Sequence, residues 1–225
     1  MAVERKATLR AAAEALNLPM SDAQADTLLQ YVDLIAKWNK VYNLTALREP
    51  AEMLSHHVID SLAAVPPLLR HLQTRGMTQG RVLDVGAGAG LPGAVFAVMC
   101  PQLQISCVDT VAKKAAFVQQ AAAELRLPNL RGVHARVESL EPAFDVVCSR
   151  AFASLPDFTR WSRAALLPDA VWLAMKGREP RDEMAALAAD VEVFHVEHLD
   201  VPGLQAERCI VWMRPAAPSA AKPVT

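Results

Sequence analysis

The period of the apolar positions changes once along the chain, near residue 75. Before that point only helical patterns occur. Ser21 followed three residues later by Gln24 has capping-box spacing, and Leu28, Val32 and Ile35 then recur on one helical face up to Trp38. This predicts one long amphipathic helix. A second is predicted from Pro50, a residue suited to a first helical turn, carrying Leu54, Val58, Leu62 and Val65 to a break at Pro66-Pro67. The polar segment YNLTALR, residues 42–48, connects the two.

From Arg81 onward, short β-rich runs alternate with helical ones: RVLDVG from 81, LQISCVD from 103, LRGVHA from 130, FDVVCSR from 144 and AVWLAMKG from 170. Buried parallel strands joined by crossover helices produce this text. Two further runs, VEVFHVEHL from 191 and RCIVWM from 208, flank a short segment containing Pro202-Gly203 and are expected to pair antiparallel. The pattern predicts an α/β fold with a seven-stranded sheet, mostly parallel with an antiparallel last strand. It is preceded by a helical extension over 1–75, and the core spans 76–214. The composition of the tail, 215–225, predicts disorder.

With 225 residues, 52% of them hydrophobic, the chain can fill one α/β core and still carry the extension. A net charge of -1 and a pI near 6.6 exclude a uniformly basic coat, so any nucleic-acid contact must come from a local patch. Two sets of residues are candidates for that patch: Lys113, Lys114, Arg126, Arg131 and Arg136, and along the C-terminal rim of the sheet Arg150, Arg160, Arg163, Lys176, Arg178 and Arg181. Dispersed, solvated charges are the alternative. Cys100, Cys107, Cys148 and Cys209 form no C-x-x-C pair and read as small buried hydrophobes of a reducing compartment. The first residues are charged and helical, and no stretch approaches the roughly 18 apolar residues of a membrane span. A soluble cytoplasmic protein, with no membrane partner and no feature demanding an oligomer, is expected, so a monomer is the reading.

The strongest chemical signal is DVGAGAGLPG, residues 84–93, between the first strand and its helix. Gly86, Gly88 and Gly90 let the backbone turn tightly against a ligand. Asp109 ends the next strand, where a carboxylate can accept from both hydroxyls of a ribose. A dinucleotide loop would need glycine at 91, which is Leu91, and Asp84 suits a cofactor bearing an ammonium group better than a pyrophosphate. S-adenosylmethionine is the favoured ligand, with NAD or FAD as the alternative.

The chain resembles a family, the bacterial 16S rRNA guanine-N7 methyltransferases. The resemblance rests on WNKVYNLTA (38–46), HHVIDSL (56–62), LDVGAGAGLPG (83–93), VDTVAKKAAF (108–117), ARVES (135–139), SRAFASL (149–155) and MKG (175–177). It implies the class I methyltransferase fold and S-adenosylmethionine as cofactor. Gly86 and Leu91 would lie around its methionine part, Asp109 and Thr110 at the ribose, and Val137 and Glu138 beside the adenine. Arg150 would stand at the mouth between cofactor and substrate. The implied substrate is a guanine in the decoding region of small-subunit rRNA, as naked RNA or within the subunit, and the product is 7-methylguanosine. One departure is His56, where an arginine is expected, and it places a phosphate-binding role for that position in doubt.

The chemistry agrees with that implication. Guanine N7 carries an in-plane lone pair and needs no general base, so positioning groups outrank acid–base groups. The chain has Ser149-Arg150-Ala151-Phe152 where enzymes acting on exocyclic amines commonly carry an N-P-P-Y-like segment, and Cys100 lies outside any nucleophile motif. Arg150 is the leading candidate for positioning, its alternative being a structural ion pair with Asp145 or Glu138. Phe152 could stack on a base or fill the core, and Lys176 could bind a phosphate or simply be solvated. Asn43 and Thr45 could line the substrate cleft or satisfy the turn between helices. His57, with Asp60 three residues on, could face substrate or form a local pair. No spacing of His, Cys, Asp and Glu suggests a metal site. A methyltransferase acting on a small molecule and an RNA-binding module without catalysis remain the competing classes.

Overall fold

The computed structural model describes residues 2–216. Helix α1 (Ala2–Ala15) precedes α2 (Asp22–Tyr42), which opens with the predicted capping box: Ser21 accepts from the Gln24 amide, and the Gln24 side chain accepts from the Ser21 amide. Asn43 ends α2 in the left-handed conformation, φ 50°, beyond the Trp38 that closes the predicted apolar face.

The expected second helix is not one regular helix. It divides into α3 (Pro50–Met53), a π-helical segment (Leu54–Ile59) and α4 (Asp60–Leu62). A π-turn widens the helix and commonly accompanies a functional site. The Pro66-Pro67 pair does not end this run; it opens α5 (Val65–Thr74). In a first turn the amide that proline lacks has no helical partner to lose, so the two prolines start a helix as readily as they stop one.

The sheet comprises β1 (Gly80–Val85), β2 (Leu103–Asp109), β3 (Leu130–His134), β4 (Phe144–Arg150), β5 (Leu166–Lys176), β6 (Val191–His198) and β7 (Cys209–Pro215). Helices α6 (Gly93–Met99), α7 (Ala112–Glu124) and α8 (Leu155–Ser162) join its first strands, and α9 (Arg181–Ala185) lies between β5 and β6. The strand order is β3-β2-β1-β4-β5-β7-β6, with β7 antiparallel to both of its neighbours, as the terminal hairpin predicted. Strand β7 reaches Pro215, and the Ala216 amide bonds the Asp190 carbonyl, so ordered pairing runs just past the expected limit of 214. The remainder of the predicted disordered tail, 217–225, lies outside the described residues.

Alternate residues of the central strands point to opposite faces. Val82, Val146, Cys148, Ile210 and Trp212 pack with α2, α5, α6 and α7, whereas Leu83, Val147, Trp172 and Val211 pack with Phe158 of α8. Both faces are therefore dry, which is why these strands read as nearly continuous apolar runs. All four cysteines are buried and unbridged. Among the described residues no helix is long and apolar enough to cross a membrane. Chain progression reverses direction between β1 and β4, and open α/β sheets place their ligands at the carboxyl ends of the strands beside such a switch.

Candidate active site

At that edge of the sheet lies a cleft with two lobes that share Gly86 and Ala151. One lobe, of about 400 Å3, is lined by Asp109, Thr110, Val137, Glu138 and Phe152. The other, of about 480 Å3, is lined by Thr45, His57, Asp60, Gly88, Leu91, Arg150, Lys176 and Arg208. Most residues singled out from the sequence converge here, though they come from the inter-helix segment, the π-helical segment and the segments at or after the ends of β1 to β5.

Three do not line the cleft. Asn43 is the exposed cap of α2, its amide oxygen accepting from Arg48 at 3.3 Å, so the turn-forming alternative describes it. Asp84 is fully buried behind the glycine loop, where Oδ2 accepts from the Gly93 amide at 2.8 Å and Oδ1 has no partner among the described residues. Burial raises its pKa to about 7 against the opposing pull of the Gly93 amide and the Arg150 charge. It organises the start of α6 rather than facing an ammonium group. Gly90 (φ 74°) sits beneath the loop against Tyr31 and Val118.

Tyr31 gave no sign of this role in the sequence beyond its place on an apolar helical face. It is fully buried, and its hydroxyl donates to the Ala89 carbonyl, tying α2 to the loop. Asp109 fixes the outer part of the loop: Oδ2 accepts from the Gly88 amide at 3.1 Å and Oδ1 from the Val111 amide at 2.8 Å. A carboxylate oxygen has two acceptor directions, so each retains capacity toward a ligand hydroxyl in the lobe. Glu138, at the far wall, accepts from Arg136 at 2.8 Å, which lowers its pKa. Phe152 is half-buried, lies edge-on to Phe158 and Trp161, and covers Gly86, where any side chain would collide with its ring.

Arg150 is held on the wall of the larger lobe. Its Nη1 donates to Asp60 Oδ2 at 3.0 Å and to the His56 carbonyl at 3.1 Å, and its Nη2 lies 3.3 Å from His57 Nδ1. The ion-pair partner is thus Asp60, not Asp145 or Glu138; Asp145 accepts from the Arg81 amide. His57 Nε2 lies 2.7 Å from Thr45 Oγ1. Burial, and next the neighbouring guanidinium, bring the His57 pKa down to about 4, so the ring is neutral near pH 7. Thr45 is itself set by Asn39, a buried residue of α2 whose amide bonds the Thr45 and Leu47 backbone. Lys176 donates to Glu183 at 2.8 Å and to the Ala153 carbonyl at 3.0 Å, so its charge is already paired within the fold. Ala151, between Arg150 and Phe152, has φ 52°, a conformation that non-glycine residues adopt at a cost and that is often retained at functional sites.

The two candidate basic faces are less charged than the sequence suggests. Arg136, Arg160, Arg163 and Arg181 each meet a carboxylate, of Glu138, Asp157, Asp190 and Glu179 respectively. The cation that sequence reading overlooked is Arg208, immediately before β7, which bonds Asp60 Oδ1 at 2.6 Å.

Known proteins share this fold and, over most of the chain, this sequence. Among solved structures of similar fold, a Burkholderia thailandensis 1,6-didemethyltoxoflavin-N1-methyltransferase with bound S-adenosylhomocysteine superposes with a TM-score of 0.55 at 17% identity, covering 88% of this chain and 92% of that one. An S-adenosylmethionine-dependent methyltransferase from Aquifex aeolicus gives a TM-score of 0.52 at 14% identity over 73% of this chain and 98% of that one. These matches show the class I methyltransferase fold. Ribosomal RNA small subunit methyltransferase G of Acidovorax sp. (strain JS42) is 64% identical over 214 residues, 93% of this chain and 95% of its own. That of Polaromonas naphthalenivorans (strain CJ2) is 61% identical over 213 residues, 94% and 96%. The family model described as rRNA small subunit methyltransferase G matches residues 24–211, and the chain belongs to that family of methyltransferases.

Proposed function

We propose that the protein transfers the methyl group of S-adenosylmethionine to N7 of a guanine in the decoding region of 16S ribosomal RNA. The observation that carries this reading is the two-lobed cleft, with a ribose-type carboxylate, Asp109, in one lobe and a fixed guanidinium, Arg150, on the wall of the other. The residues present fit the cofactor. Beside Gly88 the space is open, since a Cβ at that position would have its nearest neighbours 4.0 Å away, and Asp109 retains acceptor capacity. In this reading Asp109 and Thr110 hold the ribose, Val137 and Glu138 flank the adenine, and the loop around Gly86, Gly88 and Leu91 receives the methionine portion.

When bound, the cofactor supplies an electrophilic methyl group on a cationic sulfur, which the N7 lone pair takes as the carbon–nitrogen bond forms and the carbon–sulfur bond breaks. No proton leaves the base, so the chain's task is to orient it. Arg150 can donate to guanine O6, beside N7, through a planar fork. Neutral His57 adds no repelling charge, and the Phe152 ring closes the floor between the lobes. Holding reactants in line at near-attack distance is worth up to roughly 7–11 kcal/mol in favourable cases.

The test is incubation of tritiated S-adenosylmethionine with unmodified small ribosomal subunits, followed by nuclease digestion and nucleoside analysis. Label in 7-methylguanosine from 16S rRNA is the expected result. Label confined to another nucleoside would overturn the N7 assignment, and label in small metabolites but not RNA would overturn the substrate.

A further inference from the structure

We infer that Asp60 is the positioning residue of a two-arginine clamp, holding Arg150 and Arg208 as one donor surface for an acceptor-bearing segment of the RNA substrate. The inference rests on the RNA-substrate reading above and adds to it a specific device on the substrate wall.

Three segments distant in sequence meet at this carboxylate. Asp60 opens α4 directly after the π-turn, Arg150 closes β4, and Arg208 precedes β7. Asp60 is 3% exposed, and its two oxygens are divided between the guanidiniums, Oδ2 to Arg150 Nη1 at 3.0 Å and Oδ1 to Arg208 Nε at 2.6 Å. One carboxylate between two guanidiniums leaves one positive charge on the wall of the larger lobe, which both arginines line. By contrast Arg136, Arg160 and Arg214 each face a carboxylate of their own.

The donor inventory points the same way. A guanidinium carries five N–H donors and no acceptor. Arg208 uses Nε on Asp60 and Nη1 on the Glu207 carbonyl at 2.8 Å, and its Nη2 makes no hydrogen bond among the described residues. Arg150 divides Nη1 among Asp60 and the His56 and His57 carbonyls, its Nη2 lies 3.3 Å from His57 Nδ1, and its Nε makes no hydrogen bond among the described residues. The unused N–H groups and the residual charge call for an acceptor, and RNA offers phosphate oxygens and guanine O6. A long arginine side chain loses rotamer freedom when it grips a ligand; Asp60 has both forks ordered beforehand, which is the condition for tight and oriented contact.

A double-mutant cycle on the full chain tests this. Wild type, Asp60→Asn, Arg208→Gln and the double variant are compared for binding of a fluorescent hairpin copied from the 16S decoding region, for methyl transfer to small subunits, and for cofactor affinity by calorimetry. Each single change is expected to weaken hairpin binding about 10- to 100-fold, the loss of a charge-assisted hydrogen bond, while cofactor affinity stays within about twofold. The double variant is expected to bind no worse than Asp60→Asn alone, because without the carboxylate Arg208 is already unheld. Fully multiplicative losses, or wild-type hairpin affinity in Asp60→Asn, would overturn the clamp. Should Asp60→Asn fail to fold, Asp60→Glu keeps the charge on a longer arm and is expected to lower kcat more than it changes hairpin affinity; a wild-type kcat there overturns the proposal. If the wild type binds the hairpin yet transfers no methyl group to RNA, the N7 reading fails while the clamp stands or falls on the binding cycle.

Discussion

Two alanine substitutions in the glycine loop should separate folding from binding. Gly88 (φ 58°) and Gly90 (φ 74°) both occupy the left-handed region, so each change to alanine carries a backbone cost of about 1–2 kcal/mol. At Gly90 the new methyl would stand 2.5 Å from Tyr31 Oη and 2.9 Å from Val118 Cγ2. Tyr31 is fully buried and tied to Ala89, so it cannot swing away, and overpacking adds about 1–3 kcal/mol. Gly90→Ala should therefore lose about 2–5 kcal/mol of stability, the sum of the strain and overpacking ranges. At Gly88 the nearest atoms, the carbonyl oxygens of Gly86 and Leu44, are 4.0 Å away, so only the backbone cost applies. The methyl group there stands beside the cavity proposed for the cofactor, and affinity should fall by about tenfold or more, at least about 1.4 kcal/mol. Urea denaturation without ligand measures the first quantity, and calorimetric titration with S-adenosylmethionine the second. Equal stability losses at the two positions would refute the rigid Tyr31 support, and unchanged affinity in Gly88→Ala would remove the loop from the cofactor site.

Asp109→Ala removes the acceptor for the Gly88 and Val111 amides and the proposed ribose contact, and should cost about 1.5–3 kcal/mol of cofactor affinity in the same titration. Arg150→Ala should lower kcat for small subunits about 100-fold through misplacement of the base, while Asp60 keeps Arg208 and the protein remains folded; an unchanged rate would discount Arg150. Asp84 gives a pH signature. Its folded pKa, about 7, is raised above the unfolded value, so the group favours folding least at high pH: stability is full below about pH 4 and is lost progressively as pH rises to about 7. Asp84→Asn should abolish that loss, and its advantage in urea midpoint over wild type should grow between about pH 5 and pH 8; a constant difference across that range would contradict a carboxyl buried in the neutral form.

The seven strands were legible because burial on both sheet faces writes each strand as a compact apolar run, and the terminal hairpin because its two runs lie a few residues apart. The N-terminal helices were legible where local signals act, as in the Ser21–Gln24 box. They are not legible at 50–67, where periodicity is nearly the same for an α-helix and a π-distorted one, and where a Pro-Pro pair marks a boundary without saying on which side the helix lies. What fixes the π-turn is tertiary: its His56 and His57 carbonyls accept from Arg150, which lies 94 and 93 residues further along the chain.

The same distinction accounts for the site. Gly86, Gly88 and Asp109 announce themselves because a tight turn followed by a strand-ending carboxylate is local text with a chemical meaning. Tyr31 and Asp60 carry no such text: a tyrosine on an apolar helical face reads as core, and an aspartate three residues after a histidine reads as a local pair. Their roles come from partners 58 and 148 residues distant, Ala89 and Arg208. Conversely Asp84, written inside the most legible motif, turns inward, because a strand's alternation decides which face a residue meets before its chemistry is consulted. Adjacency to a binding motif therefore identifies the loop, but not which of its charged groups meets the ligand. That selection depends on long-range packing, which here turns Asp84 into the core and leaves Asp109, Arg150 and Arg208 on the walls of the cleft.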